Sequence, residues 1–178
     1  MKRSIPRITS VMLKSFSPCY DASQISVLGH GKRWITAFDV LEMQIPAADK
    51  LWLILRPGVI GDKALADILK ALKASKLITC THVRKAENIA APHAWNTTRL
   101  AIQLAIEDHI RDLFARYPQN SSDWLANMDA KVHRGLVINK IYVDIIRLVS
   151  AVLLERYLYG NASEIQIWLM RLRKRNRR

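Results

Sequence analysis

Residues 136–159 read LVINKIYVDIIRLVSAVLLERYLY, and the spacing within this stretch decides the fold class. Most of its positions are apolar. The polar residues Lys140, Asp144, Arg147 and Glu155 recur at i, i+4, i+7 and i+15, which places them on one stripe of a helix. Asn139 and Arg156 lie outside that stripe, near the two ends. A helix apolar on most of its circumference needs neighbours packed around it. The stretch therefore predicts a central helix inside a helical domain. Asp144 and Arg147 also break it as a membrane span, which needs about 18 or more apolar residues in a row.

The same periodicity extends outward in both directions. Gly135 is predicted to separate the central helix from a short one carrying Trp124, Leu125 and Met128, with Ser121 or Ser122 as its cap. On the other side Gly160 supplies a stop. A last helix, capped by Asn161 or Ser163, places Ile165, Trp168, Leu169 and Leu172 on one face. Upstream, Ile102, Ile106, Ile110 and Leu113-Phe114 form a stripe on a helix ending near Tyr117. Residues 79–92 read equally as a short helix or a loop. Asp62 is a candidate N-cap for a helix with Leu65, Ile68, Leu69 and Leu72 on its inner face. Ala47 to Leu55 reads as a helix with Pro46 at its first turn, stopped by Pro57-Gly58. Trp34 to Met43 reads as a short helix on Ile35, Phe38 and Leu41. Ile8 to Leu13 fits a strand or a short helix equally well. The expectation is a mostly α chain: one helical domain of six to eight helices over residues 1–170, built around 136–159, then a basic tail at 171–178. Residues 1–20 read as part of that domain or as a flexible or targeting segment.

Charge is the most informative part of the composition. There are 28 Lys and Arg against 15 Asp and Glu, a net charge of +13. The tail contributes six of these cations, Arg171, Arg173, Lys174, Arg175, Arg177 and Arg178, leaving +7 on the remainder. One or two cations at a helix C-terminus complement the macrodipole; six exceed that role. Five of the six are Arg, which suits bidentate phosphate contacts. Lys70, Lys73 and Lys76 make a second basic stripe. Trp168 precedes the tail by three residues, where a ring stacks on a base or packs in the core. These residues are the candidate nucleic-acid contacts, and nucleic acid or a nucleoprotein is the expected partner. A solvated basic surface is the alternative.

No constellation with chemistry emerges. Gly29-His30-Gly31-Lys32 lacks the spacing of a phosphate loop, since Ser26 and Arg33 stand where Gly and Ser or Thr are required. Cys80, His82 and His93 offer three metal ligands at most, short of the four of a structural zinc site. Asp112 shares a face with His109 at i+3 and is placed to orient it, though the pair reads first as a surface hydrogen bond; Asp108 and Asp112 with Arg111 and Arg116 read as helix-surface charges. The expectation is no catalytic residue, no metal and no cofactor. Two distant cysteines, Cys19 and Cys80, fit a reducing compartment. The basic, acid-free N-terminus through Tyr20 keeps a mitochondrial address open beside a cytoplasmic one.

Three segments carry a resemblance. They are ITSVMLKSFSPCYDAS at 8–23, TAFDVLEMQIPAADKLWLILRPGVIGDKAL at 36–65 and LERYLYGNASE at 154–164. Phe16, Pro18, Cys19 and Asp21, followed by Ile45, Pro46, Ala47, Asp49, Leu51 and Trp52, carry the shared motifs. The chain resembles uncharacterised helical proteins of bacteria and prophages, some bearing an immunity-protein label. About a third of the chain is covered, and 79–135 departs from the pattern. The resemblance implies a small helical protein of a mobile element and no catalytic residue. It supports a second expectation: a protein-interaction module, immunity-like or inhibiting a host defence complex. A component of a ribosomal or organellar particle is a third.

Overall fold

The computed structural model of the chain describes residues 5–16, 33–93, 96–115 and 124–158. The chain is mostly α, with seven helices and one two-stranded ribbon among the described residues. In chain order these are β1 (Ile8–Thr9), α1 (Ser10–Ser15), β2 (Trp34–Ile35), α2 (Ala37–Glu42), α3 (Ala47–Ile54), α4 (Asp62–Ala74), α5 (Cys80–Ala90), α6 (Thr97–Ala115) and α7 (Trp124–Leu158). They form two compact units. One takes the residues up to Ala64 and those from Val149 onward; the other is Leu65–Leu148.

In the first unit, β1 and β2 pair antiparallel, Ile8 opposite Ile35 and Thr9 opposite Trp34. The pleat sends Ile8 and Ile35 inward, and both are buried. Trp34 stays outside, with the Arg7 guanidinium 4.3 Å from its ring centre. The ambiguity over Ile8 to Leu13 resolves as both elements in succession. Thr9 ends the strand, and its hydroxyl accepts from the Met12 N–H to start α1. The helix expected from Trp34 begins three residues later, at Ala37. The cause is a capping box: Thr36 Oγ1 accepts from the Asp39 N–H, and the Asp39 carboxylate accepts from the Thr36 N–H at 2.8 Å. Pro46 is the N-cap of α3, and Lys50 Nζ donates to the Leu41 carbonyl at the end of α2. The Pro57-Gly58 stop is real, with Gly58 at φ +79°. Tyr157, near the end of α7, meets Phe38 edge-on at 6.5 Å, and its hydroxyl accepts from Gly61 N–H at 3.5 Å.

In the second unit, α5 and α6 form an antiparallel hairpin. His82 faces Asp112, and one turn further on Lys85 faces Asp108. Ala86, Ala90, Ala101 and Ala105 are fully buried, and their small side chains let the two helices close. Ile68, Leu72, Ile78, Val83, Ile102 and Ile145 complete this core. The stretch 79–92, readable as helix or loop, is largely the helix α5. Asp62 lies inside the first turn of α4 instead of capping it.

Gly135 does not end a helix. The short helix and the central helix expected on either side of it are one element of 35 residues, α7, about 50 Å long. A lone Gly costs only about 1 kcal/mol in a helix interior, less than the continuous backbone ladder contributes. Within 136–158 the buried line is Ile145, Val149 and Leu153, at i, i+4 and i+8, with Leu158 beyond. Toward the N-terminal end the helix is more open: Val132 is 61% exposed and Leu136 64%. No described helix is long and apolar enough to cross a membrane. The expected helix after Gly160 lies outside the described residues.

Candidate nucleic-acid interface

Lys70, Lys73 and Lys76 are all exposed. Lys70 and Lys73, three apart on α4, share a face. Lys76 lies past the helix end, at φ +60°. The chain turns there on Ser75, whose hydroxyl donates to the Leu72 carbonyl and accepts from the Leu77 N–H. A left-handed residue after a helix is normally Gly or Asn. A lysine in that conformation costs about 1 kcal/mol or more.

The edge of α5 lies alongside. Cys80 Sγ is 3.8 Å from the Lys73 carbonyl oxygen, and Glu87 Oε1 is 2.6 Å from Lys73 Nζ. Cys80, Arg84 and Glu87 are spaced i, i+4, i+7 and share one helix face. Arg84 is exposed and sits on that face between the two residues that touch Lys73. Lys70, Lys73, Lys76 and Arg84 thus form one basic edge of α4 and α5. Among the described residues, only Lys73 of these four has a carboxylate within ion-pair distance. Trp168, Arg171, Arg173, Lys174, Arg175, Arg177 and Arg178 lie outside the described residues.

Arg84 and Glu87 were not among the residues expected from sequence. The signal that finds them is the i, i+4, i+7 spacing from Cys80. It is usable only once 79–92 is a helix, which its polar composition leaves undecided.

The other face of α5 carries a polar clasp to α6. Asp112 does not orient His109; its Oδ2 lies 2.6 Å from Nε2 of His82. On the far side of that ring, Nδ1 is 2.6 Å from Thr79 Oγ1, and the same hydroxyl accepts from the His82 N–H as the N-cap of α5. A carboxylate at Nε2 calls for Nε2–H there, while Nδ1 and the Thr79 hydroxyl share a hydrogen bond. His109 stacks edge-on against His82 at 5.4 Å. Asp108 is buried, not surface charge, and bridges Lys85 at 2.9 Å and Arg111 at 2.8 Å. The Lys85 ammonium hydrogen-bonded to it, with further attraction from Lys85, Arg111 and His82, holds its carboxyl below the usual range against an opposing push from burial. Hydroxyl, imidazole and carboxylate in line are chemically a proton relay. Thr79 is also the N-cap of α5 and Asp112 belongs to the facing helix, so the three groups tie the start of α5 to α6. His82 and Cys80 do not converge as metal ligands, since the thiol turns to the Lys73 carbonyl.

A shallow apolar groove lies between α6 and α7, lined by Ile110, Leu113, Phe114, Val137 and Ile138 with Arg134 at its edge. Comparison with known proteins gives no match to a family model, a curated protein or a solved structure.

Proposed function

We propose that this chain binds nucleic acid, or a nucleoprotein, through phosphate contacts made by the α4–α5 basic edge and the tail from Arg171, and that it acts by binding, not catalysis. The observation that carries this reading is the basic edge itself. On a chain of net charge +13, Lys70, Lys76 and Arg84 are exposed, and among the described residues none of the three has a carboxylate within ion-pair distance. Exposed cations on neighbouring elements are natural partners for a polyanion, whose binding releases counterions. Lys76 adds a second line of support. A lysine kept where glycine is the unstrained choice fits a position held for its charge. Such contacts read phosphate and not bases, so binding is general in sequence. Compartments that hold such a partner include the cytoplasm and the mitochondrial matrix.

The test is binding of the full chain to labelled duplex RNA and DNA across a salt series, with Lys70, Lys76 and Arg84 changed singly to Gln. Each substitution is expected to flatten the log–log salt slope by about 0.9 on duplex DNA. Unchanged slopes for all three would reject this edge as the contact surface.

A protein partner is the second reading, and α7 favours it. Val132 and Leu136 are exposed on either side of Gly135, close in sequence to groove residues Val137 and Ile138. This fits the interaction module of a mobile element that the sequence resemblance implies, and equally a place in a ribosomal or organellar particle. Co-sedimentation with ribosomes that is lost after RNase treatment would point to the particle. Absence of co-sedimentation would reject it.

A further inference from the structure

Among the described residues, Glu87 is the carboxylate within ion-pair distance of the basic edge, and its position is specific. Its Oε1 reaches Lys73 Nζ at 2.6 Å, from the same α5 face that carries Arg84. We infer that Glu87 gates the edge: it occupies Lys73 in the free protein and is displaced by a backbone phosphate when a polyanion docks. The inference rests on the nucleic-acid reading above and gives that site a built-in competitor.

The physical case is one of exposure. The Lys73 side chain is 45% exposed and that of Glu87 32%. An ion pair this open to water gains little, because solvent screens it and both side chains lose freedom to make it. Lys73 can therefore be won by a better anion. A phosphodiester chain brings several phosphates at once. Contacts at Lys70, Lys76 and Arg84 hold it while the exchange at Lys73 takes place, so the last contact forms within a docked complex. An isolated phosphate lacks that support and meets the Glu87 charge alone. Glu87 thus sets a threshold favouring extended polyanions over single anions. The pair also joins α4 to α5, so its opening is a change at the edge with Lys73 and Glu87 as the moving parts.

This separates Glu87 from a structural tie, because a tie would affect stability and not the salt dependence of binding. The experiment uses the full chain as wild type, Glu87→Gln, Lys73→Met and the double variant. Labelled duplex DNA is titrated across a salt series, with inorganic phosphate as a competing single anion. Salt-sensitive wild-type binding that weakens when Lys70, Lys76 or Arg84 is changed to Gln locates the site at this edge. Glu87→Gln is then expected to tighten binding several-fold at low salt and to steepen the slope by less than the roughly 0.9 of a whole contact, because Lys73 meets phosphate in both complexes and only the competing Lys73–Glu87 pair, itself weakened by salt, is lost. In the Lys73→Met background the same change should do much less, since no cation is left to release. Equal tightening with and without Lys73 would overturn the gate, leaving Glu87 as a mere local charge. No effect of Glu87→Gln on a wild-type chain that binds would overturn it as well. A wild-type chain that binds neither DNA nor RNA at low salt would instead defeat the nucleic-acid reading on which the gate rests.

Discussion

Lys85 Nζ lies 2.9 Å from the Asp108 carboxylate across the α5–α6 hairpin, and Asp108 is buried. A buried carboxylate persists as an anion only where cations and hydrogen bonds replace the water it has lost. Lys85 and Arg111 do so here. The carboxyl pKa is depressed in the folded chain, so the folded state binds its proton more weakly than the unfolded state does. Its stabilisation is therefore present above the unfolded carboxyl pKa, about 4, and is lost as pH falls through the lower folded value. Asp108→Asn should destabilise the chain by about 1–3 kcal/mol at neutral pH, and the gap from wild type should shrink in acid. Chemical denaturation at neutral and acid pH measures this; a gap independent of pH would assign the loss to packing and not to charge.

The hairpin also shows what sequence could and could not reveal. The apolar elements were legible: Ile102 and Ile106 of the α6 stripe are buried, and the apolar stretch 136–158 is helical, although which of its residues form the buried line, Ile145, Val149 and Leu153, came only from packing. Partner choice was not legible. Asp112 has His109 three residues before it, yet pairs with His82, thirty residues away. Local spacing reports which side chains share a face, while the facing helix decides which of them meet. Arg84 and Glu87 were hidden for a related reason. Few large apolar residues mark α5, whose inner face is Val83, Ala86 and Ala90, so its register emerges only from packing against α6. The basic stripe on α4 was legible as a charge pattern, whereas the turn at Lys76 was not, because nothing in its sequence demands a left-handed residue.

Lys76→Gly separates folding from binding at one position. Gly reaches φ +60° without a Cβ penalty, so the variant should unfold about 1 kcal/mol less readily in denaturant. It also removes a cation from the edge, so its affinity for duplex DNA should fall. A variant that is both more stable and equally tight would place Lys76 outside the interface.

Gly135 lies within α7, exposed, with open space where a Cβ would stand. Gly135→Ala should therefore stabilise the chain by about 0.5–1 kcal/mol through helix propensity alone. Thermal unfolding measures it. Destabilisation would contradict the open space at this position.

On the reading proposed above, the excess positive charge is a phosphate-binding surface. Its most direct test is the salt dependence of binding by the full chain, beside a truncation ending at Met170, on labelled RNA and duplex DNA. Steep salt dependence is expected for the full chain, with a flatter, weaker response once the six cations from Arg171 are removed. Absence of binding by both at low salt would contradict it, and would leave the tail a solvated basic end and the partner a protein.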